Sequence, residues 1–110
     1  LFGRRRPLSE VSTIEGRGNN PIDRVAVNTP IQSTASDIAK IALMRFEKIL
    51  KDEFPGAAAI LQIHDSIVCE CPTSEADKAE KRLIEVMQGV DVLSVPVKVE
   101  AKRGCSLSSV

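Results

Sequence analysis

Aromatic residues and net charge are both scarce in this sequence. Its 110 residues include three phenylalanines but no tyrosine or tryptophan, which makes base stacking on aromatic rings a poor basis for recognition. Fifteen lysines and arginines balance fifteen aspartates and glutamates, so the net charge gives no signal for nucleic acid. Two local basic runs remain, at residues 4–6 and around residues 98–103. Such runs are more often solvated surface than binding sites.

Long apolar runs are also absent. No stretch is apolar for long enough to span a membrane, and no signal peptide is visible. The three cysteines, Cys69, Cys71 and Cys105, form an odd set without metal-ligand spacing. Cys69 and Cys71 would point the same way from one strand, so we expect small reduced side chains and no disulfide. The length suffices for one modest core, and we expect a chain that begins without Met to be part of a longer polypeptide.

An apolar stripe predicts a long helix over residues 21–52. Pro30 lies inside this pattern. Because proline lacks a backbone donor and crowds the preceding turn, we expect a bend or break near Thr29. The polar, glycine-containing residues 9–20 predict an irregular loop before the helix. The apolar residues of the stripe recur at intervals of three and four: Ile31, Ala35, Ile38, Ala42, Phe46 and Ile49.

Residues 57–71 predict a β-hairpin, in which two apolar runs flank the polar pair His64-Asp65 at a tight turn. The flanking strands would fix the direction of the Asp65 carboxylate, which suits the binding of a divalent metal. An aspartate in a turn is, equally, often only a turn former. His64 is either a core histidine bonded to backbone or a donor into a nucleic-acid groove beside Asp65.

The rest of the chain predicts a second helix and a last strand. The helix would open with a capping pair formed by Ser74 and Asp77 and end near Gly89. Residues 95–100 alternate apolar and polar side chains, as an edge strand does. The order helix, hairpin, helix, strand predicts an α+β fold, with helices packed on one face of an antiparallel sheet.

Three polar residues of the long helix share one stripe. Arg24, Asn28 and Gln32 are spaced by four residues, and four residues turn an α-helix through about 400°. Their donors could reach the purine N3 and pyrimidine O2 acceptors that line a DNA minor groove. Such contacts detect the shape of the duplex without reading its sequence. The plain alternative is an ordinary solvated helix face.

Four segments together resemble family A DNA polymerases, the bacterial DNA polymerase I type. Residues 2–8, FGRRRPL, are similar to the family's segment after the fingers. Residues 23–38, DRVAVNTPIQSTASDI, resemble its long palm helix, E-R-x-A-x-N-x-P-x-Q-G-[ST]-A-A-D. Residues 62–66, QIHDS, resemble its third polymerase motif, Q-V-H-D-E, and residues 95–99, VPVKV, its closing V-P-L-x-V strand. The segments occur in the family's order and cover essentially the whole chain.

The resemblance implies a function and a site. Asp65 corresponds to the second of two catalytic aspartates that bind the Mg²⁺ pair, and Arg24, Asn28, Gln32 and His64 correspond to residues that hold the primer-template minor groove. Template-directed DNA synthesis would then proceed by two-metal phosphoryl transfer, with deoxynucleoside triphosphates as substrates. Residues 1–110 would form the C-terminal part of a palm domain, with a palm-type antiparallel sheet and a catalytic β-hairpin.

The same resemblance implies what other parts of the polymerase must supply. The first catalytic aspartate and the fingers would lie upstream in the polymerase chain, so we expect residues 1–110 alone to be inactive. The enzyme would act on DNA in a bacterial cytoplasm or in a virus-infected cell, and an organellar location is a further alternative. Membrane association is not expected.

Departures from the family pattern leave two alternatives open. Ser66 stands where the family usually has glutamate, and Ser33 where it usually has glycine. The His64-Asp65-Ser66 triplet also matches the H-D-S motif of single-subunit RNA polymerases, although the long helix and the closing strand fit the DNA polymerase pattern better. A non-catalytic DNA-binding module that keeps the palm framework is the other alternative.

Overall fold

The computed structural model describes residues 1–7 and residues 21–110, with the side chains of the second range described from Asp23 onward. The loop predicted at residues 9–20 lies outside the described residues. The chain divides into two compact units, Leu1–Asp37 and Ile38–Val110. Residues 1–7 form neither helix nor strand. Within the described ranges, no helix combines the length and the apolar character that crossing a bilayer requires.

The long helix α1 spans Pro21–Glu53, which confirms the predicted element. The predicted break near Thr29 is wrong, because helical structure continues through Pro30, and the bend stays a prediction. Proline removes one backbone hydrogen bond, but the bonds on either side persist. The Thr29 hydroxyl also donates to the Val25 carbonyl at 2.6 Å, which adds a side-chain bond to the turn just before the proline.

The β-hairpin consists of β1 (Ala58–Ile63) and β2 (Ser66–Glu70), paired antiparallel. The two strands and two helices confirm the predicted α+β fold class with its hairpin. The three cysteines are free. Cys69 is half-buried. This burial raises the pKa of the Cys69 thiol, and the neighbouring Cys71 thiol raises it further.

The core of the Ile38–Val110 unit joins both helices to one face of the hairpin. Phe46, Leu50 and Phe54 of α1 are buried together with Ala79 of the second helix. The hairpin contributes to this cluster through its inward side chains: Ala59, Cys69 and, beside the strands, Ala57 and Cys71. The helices therefore pack on the same face of the sheet. Of the stripe predicted for α1, Ile38, Ala42 and Phe46 are buried, whereas Ile31 is 68% exposed.

Helix α2 spans Ala76–Gln88 and follows a 3₁₀ turn at Thr73–Glu75. The predicted Ser74–Asp77 capping pair is wrong, because Glu75 is the N-cap residue and no side chain caps the helix. The inserted 3₁₀ turn moves the helix start past Ser74. Gly89 ends the helix as predicted, and its N–H donates to the Glu85 carbonyl at 2.8 Å. A Cβ at Gly89 would approach that carbonyl oxygen to 3.0 Å, which favours glycine there.

The predicted strand at residues 95–100 is wrong, since the segment joins no sheet. Pro96 offers no backbone donor for a ladder. The following residues are tied to α2 instead, because Arg103 forms ion pairs with Asp77, at 2.6 Å, and with Glu80. Val97 and Val99 are half-buried while their neighbours are exposed, so the alternation in the sequence reflects one-sided burial. A second 3₁₀ turn spans Leu107–Ser109.

Replacement of Phe46 by alanine tests whether the hairpin depends on this core. Phe46 is completely buried, so Phe46→Ala should lower the free energy of unfolding by about 3–5 kcal/mol. Met44 lies on the same helix but is 68% exposed, and Met44→Ala should cost less than about 0.5 kcal/mol. Urea denaturation of the two variants measures both values. Equal losses would contradict the assignment of the buried face.

Candidate active site and nucleic-acid interface

The hairpin turn holds His64 and Asp65 between the closing pair Ile63 and Ser66. His64 has a φ of 54°, in the left-handed region that costs most residues about 1–2 kcal/mol but that histidine visits more often than most. Both turn side chains are exposed. The interpretation of His64 as a core histidine is therefore wrong, and the tip presents an imidazole and a carboxylate side by side to solvent.

A β-bulge in β1 brings a polar side chain behind this turn. Ala59 pairs with Cys69 but Leu61 pairs with Val68, so Ile60 is the extra residue. The bulge breaks strict alternation: Ala59 and Gln62 are half-buried, whereas Ile60 and Leu61 are both exposed. Gln62 Nε2 then donates to the His64 carbonyl at 3.1 Å and braces the turn from its inner side.

Neither the bulge nor a role for Gln62 beyond its motif was predicted from the sequence. The available signal was one polar amide in an otherwise apolar strand, two residues before the turn residue His64. A half-buried amide needs a hydrogen-bond partner, and the nearest candidates were the backbone groups of the turn two residues away.

Asp65 offers one oxygen ligand of the type that Mg²⁺ prefers. In the described part of the chain, no group of three or more His, Cys, Asp or Glu side chains could hold a metal ion. Magnesium sites often combine one or two carboxylates with substrate phosphates and water. A single exposed carboxylate on a braced turn therefore fits as one member of such a site, with the other ligands supplied from outside the described residues. Ser66, the first residue of β2, is exposed beside it.

The polar stripe on α1 belongs to the Leu1–Asp37 unit. Arg24, Asn28 and Gln32 are all exposed and all helical, so their side chains follow one line along the helix surface as predicted. The eight residues from Arg24 to Gln32 span about 12 Å. The candidate residues thus form two sets, three on this helix and two at the hairpin turn.

Residues 1–7 are held against α1 by two arginines, which the sequence analysis did not foresee. Arg4 donates to both carboxylate oxygens of Asp37, a two-pronged pairing that fixes direction as well as distance. Asp37 is 9% exposed, and its hydrogen bond and negative charge raise the pKa of Arg4. Arg6 donates to the Thr29 hydroxyl at 3.3 Å. Arg4 contacts Asp37, and Arg6, which follows it in the segment, contacts the earlier helix residue Thr29. The segment therefore runs antiparallel to α1.

Comparison with known proteins identifies the family of this chain. The family model of DNA polymerase family A matches residues 1–109. The chain belongs to this family. It is 38% identical over 104 residues to the thermostable DNA polymerase I of Thermus thermophilus and 37% identical over 106 residues to DNA polymerase I of Bacillus subtilis. DNA polymerase I of Streptococcus pneumoniae is 35% identical over 106 residues.

These alignments cover most of this chain but little of its relatives. The Thermus match includes 94% of the chain, the other two 96%, and each spans 12% of the relative. The chain thus corresponds to about one eighth of a DNA polymerase I. No solved structure shows a significant match. The family membership confirms the resemblance read from the four sequence segments.

The left-handed backbone of His64 predicts different effects for two substitutions that both remove the imidazole. Glycine takes a positive φ without a steric penalty, whereas a β-branched residue is strained there. His64→Val should therefore be less stable than His64→Gly by roughly 1–2 kcal/mol. Urea denaturation of the two variants compares them directly. If valine were as stable as glycine, the turn would not hold residue 64 at positive φ.

Proposed function

We propose that this chain is the C-terminal palm portion of a DNA-directed DNA polymerase, which extends a primer 3′-hydroxyl with deoxynucleoside triphosphates. The observation that carries the proposal is the exposed carboxylate of Asp65 on a two-residue turn, within a chain of DNA polymerase family A. The named relatives are DNA polymerases, which favours this function over that of a single-subunit RNA polymerase. The complete enzyme would act on DNA in a bacterial or virus-infected cell.

Asp65 would act as a metal ligand in this mechanism. The chemistry that bound Mg²⁺ would supply there is activation of the attacking hydroxyl and neutralisation of charge on the triphosphate. Asp65 would contribute one carboxylate to that site, and the upstream part of the polymerase would contribute the other, first catalytic aspartate. Its position between two paired strands, with Gln62 bonded to the preceding carbonyl, limits movement of the carboxylate. Such restriction favours catalysis because the ligand needs little reorganisation in the transition state.

The stripe on α1 would hold the primer-template duplex. Arg24, Asn28 and Gln32 cover about 12 Å of helix surface, which corresponds to about three to four base-pair steps of 3.4 Å. Their donors match the acceptors that purine N3 and pyrimidine O2 present in the minor groove of every base pair. His64 would add a donor beside Asp65. These hydrogen-bond donors would position duplexes of any sequence and favour duplexes with the correct minor-groove shape.

Asp65→Asn in the complete polymerase tests the catalytic assignment. The substitution keeps the size of the side chain but removes its charge, so single-turnover nucleotide addition should fall by about 10³-fold. Primer-template affinity should change by no more than a few-fold, because the loss concerns the transition state. Asp91→Asn, at another exposed aspartate of the same unit, serves as the matched control. Near wild-type addition by Asp65→Asn would show that this carboxylate is not a catalytic metal ligand.

Gln32→Ala tests the minor-groove assignment. Extension of matched primers should slow by a similar factor on all templates, because the lost contact is common to every base pair. Lys48→Ala, at an exposed position farther along α1, should leave extension unchanged. Primer extension on a panel of templates that differ at the last four base pairs measures the effect. A loss confined to particular bases would instead indicate direct sequence readout.

A further inference from the structure

A cleft of about 290 Å³ separates the N-terminal segment from the first half of α1, within the Leu1–Asp37 unit. Its polar lining includes Arg4 and Arg6 from the segment and, from the helix, Thr29, Ser33, Thr34 and Asp37. The residues that line the cleft thus carry two guanidinium groups, three hydroxyls and one carboxylate, beside the apolar Leu1, Phe2, Ala26 and Pro30. The mechanism proposed above uses none of them.

The charges of the cleft favour a singly charged anion. Asp37 pairs with Arg4 through both carboxylate oxygens, so these two charges offset each other. Arg6, by contrast, bonds to the neutral hydroxyl of Thr29, and among the described residues no carboxylate pairs with it to compensate its positive charge. Thr29 in turn donates its own proton to the Val25 carbonyl. The Thr29 oxygen can therefore act as an acceptor that orients Arg6 without neutralising it.

The cleft lies beside the stripe proposed to hold the minor groove. Thr29, Ser33 and Asp37 follow one another at intervals of four, one residue after Asn28 and Gln32, so their line is rotated by about 100° around α1. Phosphates border a minor groove that is only about 6 Å wide. A duplex whose groove lies on Asn28 and Gln32 would thus bring a backbone phosphate towards the neighbouring line.

We propose that this cleft binds one backbone phosphate of the primer-template duplex, with Arg6 as the charged donor and Ser33 and Thr34 as hydroxyl donors. The proposal rests on the DNA polymerase function proposed above. A phosphodiester carries a single negative charge, which matches the one uncompensated arginine, whereas a nucleotide triphosphate carries several. Ser33, which stands where the family usually has glycine, adds a hydroxyl to this wall. Phosphate contacts of this kind fix the register of a duplex without reading its sequence.

Arg6→Gln in the complete polymerase tests the proposal through the salt dependence of primer-template binding. Each neutralised phosphate contributes a slope of about −0.9 to the plot of log affinity against log salt. Raising the salt from 50 to 200 mM should therefore cost the variant about 3.5-fold less affinity than it costs the wild type. Arg5→Gln removes the same charge from the same segment, but Arg5 does not line the cleft. Its slope should stay close to that of the wild type.

A neutral-phosphate scan locates the contact without altering the protein. Primer-templates that carry a methylphosphonate at one position at a time should weaken wild-type binding several-fold at one backbone position beside the groove. Arg6→Gln should lose that sensitivity, Arg5→Gln should keep it, and Ser33→Ala should reduce it.

The alternatives give different results. If Arg6→Gln kept the wild-type salt slope and the wild-type methylphosphonate sensitivity, the cleft assignment would be overturned. The proposed polymerase function would stand in that case, provided that the protein still bound and extended primers. A raised KM for the nucleotide with an unchanged scan would overturn it in favour of a triphosphate contact. If the wild-type protein neither bound nor extended primer-template, the proposed function itself would fail, and the cleft proposal with it.

Discussion

The packing of one hairpin face on the helices is the constraint on which the rest of the Ile38–Val110 unit depends. Phe46, Leu50 and Phe54 of α1 pack against one half-buried side chain of each strand, Ala59 and Cys69. An isolated two-stranded hairpin is marginally stable in water, so this contact is what keeps the strands in register. The register then determines which residues form the turn. The geometry of the exposed His64-Asp65 turn thus depends on the apolar contact between the hairpin and α1 at the other end of the hairpin.

Between that core and the turn, the chain departs from regular structure twice. The bulge at Ile60 rotates Gln62 inward, and Gln62 bonds to the carbonyl of His64. His64 itself takes a left-handed conformation. Irregular backbone persists where the surrounding structure enforces it, and it is concentrated at functional sites. Both irregularities adjoin Asp65, the residue proposed to bind metal, which fits a hairpin shaped to direct one carboxylate.

Elements with a strong apolar period could be predicted from the sequence, and those that depend on partners could not. The stripe from Ile38 to Ile49 and the paired runs around His64-Asp65 were sufficient for α1 and the hairpin. Residues 95–100 alternate as a strand does, but alternation records burial on one side and cannot supply a partner for the backbone. Of the candidate site, residue order and spacing predicted the α1 stripe and the turn. The Arg4–Asp37 pair joins residues 33 positions apart, a contact that no local pattern reveals.

Iron-directed cleavage of the complete polymerase tests the central claim most directly, because it reports where the metal lies. Fe²⁺ bound in place of Mg²⁺ generates radicals, with ascorbate and peroxide, that cut the backbone nearest the ion. The account predicts cuts at residues 64–66 that excess Mg²⁺ suppresses and that Asp65→Asn abolishes. Cleavage elsewhere in the chain, with residues 64–66 intact, would contradict the assignment of this turn as part of the metal site.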